Sequence, residues 1–420
     1  MEAQQSIDLA SFNSKDHNDF LWPINYSYDH MPKDQPPLPS LIDVSSFPDL
    51  EAESINVKSV IDMLTTQTEY SIPNNDKLNA NSIPIFPVNA RLPWHSSIRH
   101  LRQSMHWQTA VDAIKALLQH FASDPTATTT MKEGGRSFAA VAAKELPMIE
   151  DNWARFSAYL WPAASGDRLK IIAETLVYIF IFDDVWEMNG EDKIPTIQKE
   201  FVSNLEARAH FPDDESASDL QKAMNATIQG LYDEDSIAGN GGVDVAIHLI
   251  NFINHPPPPA TFASLREFLD YRVIDAAALY IVACAKFSLC STVDLDSPRI
   301  AKFIRLLCDH ASIVNDLGSF DKEKYAYVHG KVCYMVNTVN EVRKTYALDS
   351  DEAAKFVTLA LQMEVEQEMV RELARLNTDA SVTEAEREFV DALMLSATGS
   401  IITSVVMSRY GGKEYAIVAP

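Results

Sequence analysis

The sequence predicts an all-α protein, built as one bundle of long and mostly buried helices. Three observations carry this. Apolar residues recur at helical spacing in segment after segment from about Leu92 to the C-terminus. No alternating strand pattern of useful length and no repeat of fixed period interrupts them. Leu176–Phe182 is apolar on every side, as expected of a helix buried all round.

Residues 1–90 precede this pattern and read as a poorly ordered extension. They carry KDQPPLPS at Lys33–Ser40 and NNDKLNANS at Asn74–Ser82, with a short helix at most around Ile55–Thr66. Residues 91–420 form the helical domain. Ser96 is the expected N-cap of a helix over Ser96–Phe121. After the loop TATTTMKEGGRS, helices are expected over Asp167–Glu187, Pro195–Ala209, Ser218–Tyr232, Gly242–Phe252, Thr261–Phe287, Pro298–Val314, Asp349–Arg375 and Thr383–Met407. The tetraproline Pro256–Pro259 cannot lie inside a helix, so it breaks the chain and launches the helix that begins near Thr261.

The formal charge of -24 over 420 residues argues against a polyanionic nucleic acid or an anionic membrane face as partner. Cys284, Cys290, Cys308 and Cys333 show no CxxC or zinc-like spacing and are expected as buried free thiols. The N-terminal stretch has neither a basic nor an apolar region of a secretory signal. The expectation is a cytosolic protein without stable membrane insertion, with a homodimer admitted.

The stretch FIFDDVWE at Phe180–Glu187 carries the first chemistry. Asp183 and Glu187 are four apart and share a helix face, with Asp184 offset by about 100°. Carboxylates ending a buried helix repel each other unless a cation sits between them, and oxygen ligands favour Mg²⁺ over Zn²⁺. A hydrated rim at a helix end is the other reading. VNDLGSFDKEK at Val314–Lys324 supplies a second set. Asn315, Ser319 and Glu323 fall at i, i+4 and i+8, one helical stripe of amide, hydroxyl and carboxylate oxygens suited to one Mg²⁺. Lys322 beside them could meet an anion held by that metal.

DDVWE followed far downstream by NDLGSFDKE resembles the two metal motifs of class I terpene synthases. YRVID at Tyr271–Asp275 and SRYGG at Ser408–Gly412 resemble two further motifs of that family, in the same order. The resemblance spans about Leu92 to Gly412. It implies a single class I terpenoid synthase helical bundle around a central apolar cavity. It also implies Mg²⁺-dependent ionisation and cyclisation of a prenyl diphosphate, with three Mg²⁺ ions. Farnesyl diphosphate giving a cyclic sesquiterpene is the first expectation. Geranylgeranyl diphosphate, or a non-catalytic scaffold related to cyclases, is the alternative. Chain-elongating prenyltransferases carry two Asp-rich motifs, and this chain has one.

By this resemblance Asp183 is the principal ligand on the first wall, with Asp184 and Glu187 as further ligands or charge partners; the family motif ends in Asp or Glu. Asn315, Ser319 and Glu323 take the third metal. Arg272, Lys322, Arg409 and Tyr410 meet the diphosphate, and Asp275 is the acid that precedes a helix break. The Ala276 carbonyl takes the place of the backbone group that triggers ionisation. The cation needs an apolar, aromatic-lined pocket. Leu176, Ile179, Phe180, Phe156, Tyr159, Ile402 and Val406 are its candidate lining, each of which could equally be plain core.

Overall fold

A computed structural model describes residues 76–85, 94–98, 100–130, 136–189, 196–207, 216–238 and 240–410. Fourteen α-helices and one pair of short strands are found among them. In chain order these are α1 (Asp76–Ala80), β1 (Ser82–Ile85), β2 (Leu101–Ser104), α2 (Trp107–Ser123), α3 (Phe138–Glu145), α4 (Ala154–Leu160), α5 (Gly166–Asn189), α6 (Thr196–Ala207) and α7 (Asp219–Ala238). Then follow α8 (Gly242–Ile253), α9 (Leu265–Asp275), α10 (Ala278–Ser288), α11 (Ala301–Val328), α12 (Thr338–Thr345), α13 (Asp351–Thr378) and α14 (Glu384–Val406). A 3₁₀ turn, Ser408–Tyr410, closes the described chain.

The all-α expectation holds, with local corrections. The helix expected over Ser96–Phe121 begins only at Trp107. Ser96 caps no helix; its hydroxyl accepts from the Ile98 N–H at 3.0 Å. Leu101–Ser104 pairs antiparallel with Ser82–Ile85, Ile85 opposite Leu101. The helical spacing read over residues 96–104 is overridden there by pairing with the earlier strand. Most of residues 1–90 lie outside the described residues, but Asp76–Ile85 belong to the ordered body: Leu78, Ile83 and Ile85 are buried.

The single helix expected from periodicity over Thr261–Phe287 is two, divided just after Asp275, where the resemblance implied a break. Ser264 caps α9 by accepting from the Glu267 N–H at 3.1 Å. The chain then breaks at Ala277, whose φ of 52° is left-handed. That conformation costs a non-glycine residue roughly 1–2 kcal/mol, so packing must hold it. No glycine or proline marks the break. The helix expected over Pro298–Val314 instead runs to Val328, so the second motif stays on one uninterrupted helix. α3 and α12 were not foreseen. Cys284 and Cys308 are buried as expected, but Cys290 and Cys333 are exposed.

The main core runs through the whole bundle, drawing on α2, α3, α5, α7, α8, α10, α11, α13 and α14. Every residue of α14 from Phe389 to Val406 is buried. Among the described residues α14 is the one helix long and apolar enough to cross a membrane, and its apolar stretch is fully buried inside the bundle. Gly399 lets it approach α4: a Cβ there would lie 2.3 Å from the Tyr159 carbonyl oxygen. At the N-terminal side, the buried Glu366 of α13 accepts from the N–H and hydroxyl of Ser97 at 2.7 and 2.6 Å, and pairs with His310 of α11 at 3.2 Å. Gln362 donates to the His95 carbonyl at 2.8 Å.

Candidate active site

Four pieces of chain meet at one cavity: the end of α5, the α9–α10 break, the middle of α11 and the Ser408–Tyr410 turn. The outer part, about 970 Å³ counted to its open mouth, is bordered by Asp183, Arg272, Asp275, Asn315, Ser319, Lys322, Glu323, Arg409 and Tyr410. The sequence-predicted residues of both motifs thus converge. Asp184 stands beside them, tied to Arg409. Glu187 lies in α5, but its side chain falls outside the described residues.

On the α5 wall, Arg409 Nη2 lies 2.8 Å from Asp184 Oδ1 and 3.6 Å from Asp183 Oδ2. The guanidinium also sits over the Phe180 ring, 5.1 Å from its centroid. The two acids consequently differ. Burial pushes the Asp183 carboxyl up to about 6, and the charges of Asp184 and Asp275 add to this against the relief from Arg409. Burial also opposes ionisation of Asp184, but Arg409, by charge and hydrogen bond, outweighs it and holds that carboxyl below its ordinary value. Asp183 is therefore the under-compensated carboxylate, the one with most to gain from a cation.

On the α11 wall, Asn315, Ser319 and Glu323 form the expected stripe. The Ser319 hydroxyl donates to the Asn315 carbonyl at 2.8 Å, which leaves its lone pairs for another partner. The Asn315 amide donates to the Tyr410 hydroxyl at 2.7 Å, and its Oδ1 accepts from Arg272 Nη2 at 3.1 Å. The Glu323 carboxylate accepts from Asn337 Nδ2 at 2.9 Å through one oxygen. This oxygen-only donor set, amide, hydroxyl and carboxylate, suits a hard divalent cation. Among the described residues no group of three or more His, Cys, Asp and Glu is placed to hold a metal, so a soft or zinc-type site is not found there.

Arg272 ties α9 to α11 and is almost fully buried. Its Nε and Nη2 donate to Asp316 Oδ1 at 3.0 and 2.7 Å, and its Nη1 pairs with Asp275. Burial alone would lower its pKa; Asp316 and Asp275 raise it well above the ordinary value instead. Asp275 in turn meets His255 Nε2 at 3.1 Å, while His255 Nδ1 faces the Phe252 carbonyl. Both neighbours of the imidazole are acceptors, which favours its doubly protonated form. Burial opposes that, and Asp275 outweighs it.

Beyond it lies an inner, more apolar compartment, about 530 Å³ counted with the open space it adjoins, sharing Ile179, Phe180, Ala276, Ala277, Asn315 and Tyr410 with the outer part. Its walls include Phe156, Trp161, Leu176, Tyr280 and Ile281. Phe156 packs on Phe180 with centroids 4.9 Å apart, and Trp161 meets Tyr280 edge-on at 5.8 Å. Ser400, Thr403 and Ser404 add hydroxyls from α14. Their protons go to backbone carbonyls of the same helix, at 3.1, 2.8 and 3.0 Å. Leu176, Ile179, Phe180 and Phe156 line the cavity as expected. Tyr159, Ile402 and Val406 do not: they pack with Ile85 and Leu101 behind the strand pair. A helix buried on all sides gives no sequence signal for which face meets a cavity.

The α9–α10 break borders both compartments through Ala276 and Ala277. The Ala276 N–H donates to the Arg272 carbonyl at 2.8 Å; among the described residues no backbone donor reaches the Ala276 carbonyl. Sequence reasoning missed Asp316, His255, Trp161, Tyr280 and Asn337. Asp316 was visible inside the NDLGS motif but lies off the stripe. Asn337 stood before an amphipathic run and could have been read as a helix cap.

A family model described as terpene synthase family 2, C-terminal metal binding, matches residues 259–367. Terpene cyclase 6 of Gibberella fujikuroi is 24% identical over 356 residues, 83% of this chain and 90% of the relative. Phomopsene synthase of Phomopsis amygdali is 20% identical across 61% of this chain and 35% of its own length. Among solved structures, aristolochene synthase from Penicillium roqueforti superimposes with a TM-score of 0.54 at 16% identity, across 70% of this chain and 94% of that one. This last likeness is one of fold.

Proposed function

Taking as premise that the chain belongs to the class I terpene synthases and is a lyase-type enzyme, we propose that it ionises and cyclises farnesyl diphosphate, releasing diphosphate and a cyclic sesquiterpene. The observation that supports this is the convergence of two oxygen-rich walls and three cationic side chains on one mouth above an aromatic compartment. Asp183 on one wall and Asn315, Ser319 and Glu323 on the other would hold Mg²⁺, three ions by family resemblance. Mg²⁺ when bound supplies Lewis-acid stabilisation of the departing diphosphate charge.

The side chains divide the remaining work. Arg272, Lys322, Arg409 and Tyr410 donate to the diphosphate oxygens, the arginines in a bidentate fork. To do so Arg409 gives up Asp184 and Arg272 gives up its contact with Asn315. The C–O bond then breaks with its electron pair leaving on the diphosphate. The allylic cation stays in the inner compartment, where the faces of Phe156, Trp161, Phe180 and Tyr280 stabilise it without attacking it. By the family resemblance, the Ala276 carbonyl would turn its negative dipole toward this boundary, which Ala276 lines. The α14 hydroxyls offer lone pairs rather than protons.

The test is a product assay. Purified protein is incubated with farnesyl or geranylgeranyl diphosphate and Mg²⁺, and the extract is analysed by gas chromatography with mass detection. A cyclic C15 product is expected. Product from the C20 substrate alone would overturn the farnesyl assignment, and no product from either would overturn cyclisation. Asp183→Ala and Asn315→Ala are expected to lose most turnover while the fold persists.

A further inference from the structure

α12 begins against α11, where Asn337 and Thr338 reach Asp316 and Glu323. Asn337, the residue that caps it, is fully buried, and its amide is used at both ends. The Oδ1 accepts from the Val339 N–H at 2.9 Å, which is the cap. The Nδ2 donates to the Asp316 carbonyl at 2.9 Å and to Glu323 Oε2 at 2.9 Å. Capping needs only an oxygen, and Ser, Thr or Asp would serve. The nitrogen contact to Glu323 is additional, and it reaches a carboxylate at the mouth. Thr338 does the same for Asp316: its N–H and hydroxyl meet Oδ2 at 2.7 and 2.6 Å, leaving Oδ1 to Arg272.

We infer that Asn337 is a positioning residue for the reaction, holding the Glu323 carboxylate by one oxygen so that the other faces the diphosphate-bound cation. Glu323 stands near the exposed end of α11, where a free glutamate would sample many rotamers. The amide removes that freedom before any ligand arrives, so less entropy is lost on binding. The contact also gives α12 its place in the site: one helix start fixes Glu323 through Asn337 and Arg272 through Thr338 and Asp316. The inference rests on the proposed role of Glu323 at the metal.

The experiment separates cap from donor. Asn337→Asp keeps a capping oxygen of equal strength but turns the amide donor into a second carboxylate facing Glu323. Asn337→Ser keeps a cap and withdraws the donor. Melting of the ligand-free proteins is measured alongside calorimetric titration of Mg²⁺ with inorganic diphosphate. Asn337→Asp is expected to weaken Mg²⁺–diphosphate binding by about 10-fold or more, as loss of a residue that orients a metal ligand does. Asn337→Ser is expected to weaken it less. In Glu323→Gln the further change to Asp at 337 is expected to add almost nothing. Unchanged binding in both single variants, with only the melting temperature lowered, would make Asn337 a cap and overturn the inference. So would a wild-type protein that binds no Mg²⁺ with diphosphate. A wild type that binds both yet forms no terpene would overturn the substrate assignment instead, and the titrations would still decide the role of Asn337.

Discussion

Arg272 and Asp316 form the buried ion pair on which the mouth is built, with side chains 8% and 0% exposed. Consider Arg272→Met, Asp316→Asn and the double variant. Removing one member of a buried pair costs about 3–5 kcal/mol, because the other charge is stranded. The local contacts place Arg272→Met at the low end of that range and Asp316→Asn, which keeps a polar group of the same size, below it. Asp316 without Arg272 keeps the two donors of Thr338, and Asp275 keeps His255. In Asp316→Asn, Arg272 keeps Asp275 and Asn315. About 3 kcal/mol for Arg272→Met and about 2 kcal/mol for Asp316→Asn follow, the latter from weakened charge-assisted bonds. The double variant strands neither group, so its cost should stay near 3 kcal/mol, about 2 kcal/mol less than the sum. The assay is urea unfolding followed by circular dichroism and tryptophan fluorescence together, using the variants only where the two transitions coincide. Costs that add to within about 0.5 kcal/mol would refute the claim that this pair is a coupled unit.

Three further outcomes are expected. Gly399→Ala drives a Cβ against the Tyr159 and Leu160 backbone, at 2.3 to 2.8 Å, and should destabilise by at least about 1–3 kcal/mol in chemical denaturation; unchanged stability would mean α4 and α14 are not in such close contact. Glu386 is opposed by burial, yet Arg299, Ser297 and Thr383 bring its carboxyl down to about 2. Its folded value lies below its unfolded one, so its contribution is present above about pH 4.5 and lost as pH falls towards 2. Glu386→Gln should thus cost about 2 kcal/mol at pH 7 after allowing for the half-exposed Arg299, with the gap closing in acid; a gap independent of pH would contradict this. Phe180→Leu removes a ring that packs on Phe156 and Trp153 and underlies Arg409, so turnover should fall and the product mixture broaden in the chromatographic assay.

What could be read in advance was local. Asn315, Ser319 and Glu323 share a stripe because helix geometry fixes neighbours four apart, and α11 runs unbroken through them. Arg272 and Asp275 were one turn apart for the same reason. The meeting of Arg409 with Asp183 and Asp184 spans 225 residues to Asp184, and no periodicity reports such a contact; the family resemblance assigned Arg409 to the diphosphate, not to these acids. The break at Ala277 escaped the periodicity because its left-handed residue is an alanine, held there by packing; only the family resemblance implied a break after Asp275. The strand pair escaped because each strand has only four residues, too few for an alternation to show. The lining of the inner compartment was half right. α5 presents Leu176, Ile179 and Phe180 because Asp183 fixes its rotation, whereas α14 is buried on every side and its cavity face is set by its neighbours.

The ties between the N-terminal segment and α13 bear on where a shortened form of this protein could begin. A version starting at residue 100 would lack Ser97 and so remove two of the donors on Glu366, a carboxylate with no solvent access. It would also strip His95 from Gln362, the residue that shares Glu366. Starting at residue 91 spares those bonds but deletes Ser82–Ile85, leaving Leu101–Ser104 as a bare edge open to pairing between copies. A trimmed protein that stays monodisperse should therefore begin before Asp76.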